Sequence, residues 1–345
     1  MAYLVTGGCG FVGSNLTAEL IRRGKHVLVV DNFTRPGTPV NMAWLRELGK
    51  FEFFHADTRN GHELEPIFRK YDIECVFHLA GQVAMTTSLE NPRRDFEVNV
   101  LGSINVLECV RLLAPEATVV YASSNKVYGG LDEADLVEKA TRYEPAGKKG
   151  IDERARLEFF TPYGCSKGAA DQYMQEYARN FGLNTVVFRH STIYGGRQIS
   201  TFDQGWVGWF CQKALDTLED PTTSFTINGD GKQVRDLLHV SDAVACYLAA
   251  HEHVAEARGQ AFNIGGGYEN SMSLRELFLH LEHEIGVKMN PRELPWRAND
   301  QKYFVADNSK AGKYIDWSPR MCKEQGIADA IAWERSRRAM GEGTR

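Results

Sequence analysis

The stretch "YLVTGGCGFVGSN", Tyr3 to Asn15, decides how this chain is read. An apolar run stops at Thr6, glycines stand at positions 7, 8, 10 and 13, and a helical pattern runs from about Phe11 to Arg23. Strand, glycine turn and helix in that order form a dinucleotide fingerprint, Gly8-x-Gly10-x-x-Gly13, with Gly7 just ahead of it. Glycine permits the tight turn and lets the backbone approach a pyrophosphate, which then faces the amides at the helix start. Gly7, Gly10, Phe11, Val12 and Gly13 are therefore candidate cofactor contacts. A glycine turn alone carries little weight. Here Asp31 closes the next apolar run, "HVLVVD", 18 residues after Gly13. A carboxylate there accepts from ribose hydroxyls and repels a 2′-phosphate, which favours NAD over NADP. Asn32 and Arg35 lie beside it.

Outward from that stretch, "FEFFHAD", "ECVFHLA", "ATVVYASS" and "NTVVFRH" alternate with helical patterns as far as Arg189. This rhythm predicts an α/β protein, a Rossmann-type doubly wound parallel sheet covered on both faces. After Arg189 the rhythm breaks. "SFTINGDGKQVRDLLHVSD" reads as a small hairpin and a strand, and "VSDAVACYLAAHEHV" and "SLRELFLHLEHEI" read as helices. The expected division is an NAD-binding domain over 1–189 and a smaller mixed substrate lobe over 190–345. A segment at about 236–260 is expected to return to the first domain. Leu131 to Phe160 is a charged insertion, and the terminal "MGEGTR" is expected to fray.

Composition bounds the remaining possibilities. The chain has 345 residues, 43% hydrophobic and 25% charged, enough for a large core. Net charge is -5 with no basic tract, which argues against nucleic acid. No apolar run reaches membrane-spanning length, so no membrane partner is expected. The immediate first strand leaves no room for a signal peptide. Seven scattered cysteines without a CxxC pair read as reduced thiols, hence a cytoplasmic protein. "HEH" at 251–253 and the pair His280 and His283 lack a third ligand in view and read as solvated helix faces, so no metal is expected.

The chemistry centres on "TPYGCSKGAADQY", Thr161 to Tyr173. Four residues apart on a helix, Tyr163 and Lys167 share one face. Alone they would be an ordinary surface pair. "VVYASSNKVYGG" brings Ser123 and Ser124 to the end of the fifth strand. A free tyrosine titrates near 10, and a neighbouring ammonium favours its phenolate. Ser124 would then fix the substrate oxygen. Around this centre, Asp57 and Thr58 follow the third strand, with Asp57 placed to hold an adenine amino group. Leu79, Ala80 and Gly81 end the fourth strand, where small residues admit a cofactor. Asn99, polar within an apolar helix, is either a helix–helix hydrogen bond or a cofactor contact.

Ser124, Tyr163 and Lys167 behind this glycine loop resemble the short-chain dehydrogenase/reductase superfamily, and the long C-terminal lobe is similar to its extended, nucleotide-sugar-modifying branch. The resemblance covers nearly the whole chain. It implies NAD as cofactor and Ser124, Tyr163 and Lys167 as the catalytic triad, with Lys167 also on the nicotinamide ribose. It also implies a homo-oligomer, dimer or tetramer, paired through the helices before and including Tyr163. Dehydratases of the branch follow the catalytic Ser/Thr with acids. Here Asn125 and Lys126 follow Ser124, which leaves oxidation and re-reduction. "HLAGQVAMTTS", "SSNKVYG", "FRHSTIYGGRQ" and "DQGWVGWFCQKA" resemble the branch's 2-epimerases of CDP-linked sugars of the O-antigen type. That group carries threonine where Ser124 stands. The resemblance makes a CDP-sugar the substrate, with Arg235 clamping phosphate and Arg197, Gln198 and Thr192 as further contacts. Gln82, Met85, Thr86 and Asn125 would line the sugar pocket. Trp206 and Trp209 read as core packing. "NDQKYF", Asn299 to Phe304, either closes over the nucleotide or is a polar turn. A UDP- or CDP-hexose 4-epimerase would use the same triad, and a non-catalytic NAD sensor would ordinarily lose Tyr163 or Lys167.

Overall fold

A computed structural model describes residues 1–131, 135–297 and 300–339. The expected fraying of "MGEGTR", part of the charged insertion and Asn299 lie outside the described residues.

The chain opens with β1 (Ala2–Thr6), α1 (Phe11–Arg22), β2 (Val27–Asp31), α2 (Thr38–Leu48), β3 (Glu52–His55), α3 (Gly61–Lys70) and β4 (Ile73–His78). Short helices α4 (Met85–Glu90) and α5 (Pro92–Phe96) and a π-helical turn (Glu97–Leu101) lead into α6 (Gly102–Leu113). Next come β5 (Thr118–Ser124), a 3-10 turn (Asn125–Tyr128), the hairpin β6 (Leu136–Glu138) and β7 (Tyr143–Pro145), α7 (Pro162–Phe181) and β8 (Asn184–His190). The remainder is β9 (Thr192–Tyr194), α8 (Trp206–Glu219), β10 (Phe225–Asn228), β11 (Val234–His239), α9 (Val240–Glu252), α10 (Val254–Ala257), β12 (Gln260–Ile264), β13 (Ser271–Ser273), α11 (Leu274–Ile285), β14 (Pro291–Leu294), β15 (Tyr303–Phe304), α12 (Ser309–Ile315) and α13 (Lys323–Ala339).

Seven strands pair in the order β3-β2-β1-β4-β5-β8-β12, every pair parallel. Their apolar runs follow from burial on both faces. Alternate side chains feed two cores. Tyr3, Val5, Val29, Phe77 and Phe188 pack under α1 and α9, while Leu4, Leu28, Val76, Val119 and Val187 pack under α3, α6 and α7. The strand order reverses between β1 and β4, so the loops after those two strands flank the crevice where open α/β sheets bind ligands.

The expected hairpin in "SFTINGDGKQVRDLL" does not form. β10 pairs in parallel with β14, and β11 pairs with β13, β15 and β9. Partners distant in sequence win because they bury the ring cluster Phe210, Phe225 and Phe278 between α8, α11 and β10 (Phe210 to Phe278, 4.8 Å between centroids). β11 pairs within the smaller sheet while its Leu238 packs in the first core, and α9 through β12 lie against that core.

Candidate active site

The glycine loop is built for close approach. Gly7 has φ +67°, and a methyl on it would lie 2.8 Å from the amide nitrogen of Ala80. A methyl on Gly13 would lie 2.1 Å from the Gly7 carbonyl oxygen, so α1 can sit against the turn only without a side chain there. Gly10 caps α1 with no side-chain hydrogen bond and no acid in the first turn. The amides at this helix start are left to an anion, the arrangement a pyrophosphate needs. Asp31 is buried beneath the loop, its two carboxylate oxygens accepting from the amides of Cys9 (3.0 Å) and Phe33 (2.9 Å). Burial pushes its carboxyl above the ordinary value, and those amides oppose the rise. These residues fit an NAD dinucleotide.

Several neighbours bond or pack among themselves. Asn32 Nδ2 donates to Asp57 Oδ2 (2.9 Å), and Arg59 grips the same carboxylate (2.8 Å). Burial would raise the Asp57 carboxyl, but Arg59 and Asn32 outweigh it and bring it to about 2. Thr58 packs under Gly102, where a methyl would lie 2.7 Å from its hydroxyl. Arg35 is partly buried near Asp203, and burial holds its pKa down. Asn99 takes the structural option. Its Nδ2 donates to Ser166 Oγ (2.9 Å) and the Gln82 carbonyl (3.2 Å), and its Oδ1 accepts from the Gln82 amide (2.9 Å). It ties the loop after β4 to α7.

Thr161 starts α7 by accepting from the Gly164 amide (3.1 Å), Pro162 occupies the first turn, and Gly182 ends the helix at φ +73°. Gly164 lets the helix press against the 3-10 turn, since a methyl there would lie 3.0 Å from the Lys126 carbonyl. Tyr163 and Lys167 are buried, on the face turned to the end of β5. Lys167 Nζ donates to the Ala122 carbonyl (2.8 Å), and a methyl on Gly81 would lie 3.0 Å from that nitrogen. Tyr163 and Ser124 line the same cleft. Burial pushes the phenol up to about 12, with Ser124 opposing, and brings the Lys167 ammonium down to about 8. Desolvation thus dominates both groups.

Ser123 leaves the site. Strand alternation turns it to the opposite face, where it donates to Asp171 (2.9 Å). Asp171 is in turn held by Arg189 in a buried pair (2.8 and 2.9 Å). Losing one partner of such a pair costs about 3–5 kcal/mol, so this is scaffold.

A cleft of about 310 Å³ opens from Ser124 and Tyr163 into the C-terminal lobe. Met85, Asn125, Thr192 and Arg235 line it. Arg197 and Gln198 do not. Arg197 has φ +72° and stacks over Trp44 (4.1 Å) and Trp333 (4.7 Å), while Gln198 is buried against Gly205. The turn "YGGRQ" fastens the lobe to α2 and α13. The Gln82 side chain closes on its own loop at Ala84, and the Thr86 hydroxyl is buried without a partner, outside the residues lining the cleft. Conversely, Trp206 and Trp209 line the cleft as well as the third core, and Trp206 Nε1 donates to Thr192 Oγ1 (3.1 Å).

Lys126, Arg297, Asp300 and Phe202 also line the wall, and of these sequence reasoning missed Arg297 and Phe202. Asp300 Oδ1 accepts from Lys126 Nζ (3.2 Å) and Arg235 Nη2 (3.0 Å). Burial alone would raise this carboxyl, but the two cations outweigh it and hold it below the ordinary value. The signal for Lys126 was in the quoted "SSNK" and that for Asp300 in "NDQKYF"; no local pattern marks Arg297 or Phe202. A larger cleft, about 470 Å³ beside α1 and α9, contains none of these residues. Among the described residues, no three His, Cys, Asp or Glu side chains converge as metal ligands, and no helix is long and apolar enough to cross a membrane. His251 is bonded to Thr118 (3.0 Å) and Glu74 (3.1 Å).

With loop, triad and cleft in place, the class can be stated: residues 3–265 match the NAD dependent epimerase/dehydratase family, and the chain belongs to it. Within that family it is 51% identical over 337 residues to a CDP-paratose 2-epimerase of Salmonella typhi, covering 97% of this chain and 100% of that protein. Among solved structures it is similar to UDP-glucose 4-epimerase of Thermotoga maritima with UDP-glucose (28% identity, 97% of this chain and 99% of that one, TM-score 0.82). It is also similar to UDP-glucuronic acid 4-epimerase of Bacillus cereus with UDP-glucuronic acid and NAD (25% identity, 97% and 99%, TM-score 0.81).

Proposed function

We propose that the protein inverts carbon 2 of a CDP-linked 3,6-dideoxyhexose, converting CDP-paratose to CDP-tyvelose. The observation that carries this is the pair Asn125 and Lys126, placed directly after Ser124 and lining the cleft where a dehydratase needs an acid and a base. An amide and an ammonium cannot remove one proton and deliver another to a leaving hydroxyl, so hydride chemistry with a single acid/base remains. The 51% identical relative carries the same substrate class in its name.

Bound NAD supplies a hydride acceptor, a hydride donor and, when oxidised, a positive charge that favours phenolate. Tyr163 takes the proton of the carbon-2 hydroxyl, and Ser124 holds that oxygen. The resulting 2-keto sugar turns over in the cleft, and Tyr163 returns the proton when carbon 2 is reduced on its other face. Lys167 holds positive charge beside the phenol and binds the nicotinamide ribose. Arg235, Lys126 and Arg297 take the diphosphate, whose charge favours such cations. No net redox occurs, so NAD stays bound.

The test is incubation with CDP-paratose, with carbon 2 followed by NMR in D2O. Inversion without solvent deuterium at carbon 2 is expected. Deuterium there would mean proton abstraction and sink the hydride scheme; inversion at carbon 4 of a UDP- or CDP-hexose instead would favour the 4-epimerase reading. Net accumulation of NADH would point to a dehydrogenase.

The same reading includes a homodimer through α6 and α7. Leu101, Leu112, Tyr173 and Phe181 are exposed there, between 40% and 62%, an apolar surface monomers seldom leave open. Sedimentation should give twice the chain mass or a multiple of it. Seven thiols without a disulfide suit a reducing cytoplasm.

A further inference from the structure

We propose that Gln301, contributed by the C-terminal lobe, is a positioning residue for Ser124. The proposal rests on the reading of Ser124 and Tyr163 as the reacting end of the site. Gln301 is fully buried. Its Nε2 donates to the backbone carbonyls of Gly129 (2.7 Å) and Asn125 (3.3 Å), and its Oε1 accepts from Asn125 Nδ2 (2.9 Å). Two carbonyls accept and cannot donate, so the amide has one workable orientation. That orientation fixes the next amide: Asn125 must turn its nitrogen to Gln301, which leaves its Oδ1 facing Ser124, 3.4 Å from Oγ.

Ser124 Oγ also caps the 3-10 turn, accepting from the Lys126 amide (3.2 Å), and it shares the cleft with Tyr163. The position and hydrogen-bond directions of the reacting hydroxyl are therefore set by the turn that Gln301 grips at both ends. The preceding residue extends the grip. Asp300 joins Lys126 to Arg235, and the Gln301 carbonyl accepts from Arg235 Nη2 (2.6 Å). One dipeptide thus fastens the two residues after Ser124 to the arginine of the diphosphate seat. Gln301 touches neither Tyr163 nor the cleft, so it acts through Asn125. A displacement of about 1 Å at a reacting group costs up to roughly 10²-fold in rate.

The test uses Gln301→Met, which keeps the volume and removes all three side-chain bonds, in the full chain with NAD. Turnover of CDP-paratose should fall roughly ten- to a hundredfold. Affinity for CDP alone, by calorimetry, should stay near wild type, because Arg235 is held by the backbone carbonyl of residue 301. Asn125→Ala should slow turnover too, and the double variant should be no slower than the slower single one, since both act through one chain. Unchanged turnover in Gln301→Met, equal loss of turnover and CDP affinity, or additive losses in the double variant would each overturn the proposal. If Gln301→Met does not fold, Gln301→Glu, which keeps the acceptor and loses the donors, takes its place. Wild-type turnover of a different nucleotide sugar would overturn the substrate reading alone, and the same cycle would be run on that sugar. A wild type inactive on every sugar would overturn both.

Discussion

At the carboxyl ends of β1 and β2, the groups facing the crevice come from one short stretch: a glycine turn, the uncapped start of α1, and Asp31 fixed by the amides of Cys9 and Phe33. Across the crevice, Lys126, Arg235, Arg297 and Asp300 meet from widely separated parts of the chain, with Phe202, Trp206 and Trp209 closing the wall. The first region works by what its backbone leaves open, the second by charges and rings gathered through packing. The difference separates two kinds of substitution. Added bulk should damage the first, and lost charge should damage the second.

Tyr163→Phe lies where the two regions meet and should have the largest effect. General acid/base catalysis is worth about 10²–10⁴-fold, so turnover should drop by that order while NAD remains bound. Wild-type turnover in this variant would break the shared centre. Arg235→Ala should weaken CDP roughly ten- to a hundredfold in calorimetry, the value of about 1.5–3 kcal/mol for hydrogen bonds to a charged group. Arg197→Ala sharpens the contrast. It should leave CDP affinity alone and lower stability by about 0.5–1 kcal/mol through lost stacking on Trp44 and Trp333. A large loss of CDP binding there would restore Arg197 to the substrate site.

Gly13→Ala probes the backbone side. Its methyl meets the Gly7 carbonyl oxygen at 2.1 Å, and overpacking of this kind costs about 1–3 kcal/mol. NAD should be lost from the purified protein while CDP binding survives; retained NAD would contradict the close-approach role.

A last contrast concerns pH. Burial lowers His78 to about 3 and His190 to about 4, from 6.5, with Lys167 adding to both and the Ser123 carbonyl opposing at His190. Below 6.5 the unfolded chain binds protons that the folded chain refuses. Stability is therefore complete above 6.5 and declines as pH falls toward 4, by roughly 1 kcal/mol per pH unit for each histidine. Denaturant titrations at pH 7 and 5 measure this, and equal stabilities would refute it.

Legibility in the sequence follows the same divide. β1, the glycine loop, α1 and Asp31 could be read because their spacing along the chain is their geometry. Tyr163 and Lys167 could be read for the same reason, on one helix face. The hairpin expected near 225–239 failed because β10 and β11 each found a distant partner, a choice no local pattern encodes. Arg197 and Arg235 look alike as cations after a strand or turn. Only packing sends one onto two indole rings and the other into the cleft.

By itself, then, the sequence determined the parallel sheet, the glycine loop and the shared helix face of Tyr163 and Lys167, because apolar periodicity, glycine and helical spacing act within single elements. The tertiary structure alone decided that Asn99 is a tie, that Ser123 faces the scaffold, and that Lys126, Arg235 and Asp300 share one wall. Those outcomes depend on which buried polar groups find partners when distant elements pack, and the low dielectric of the interior makes that choice stringent.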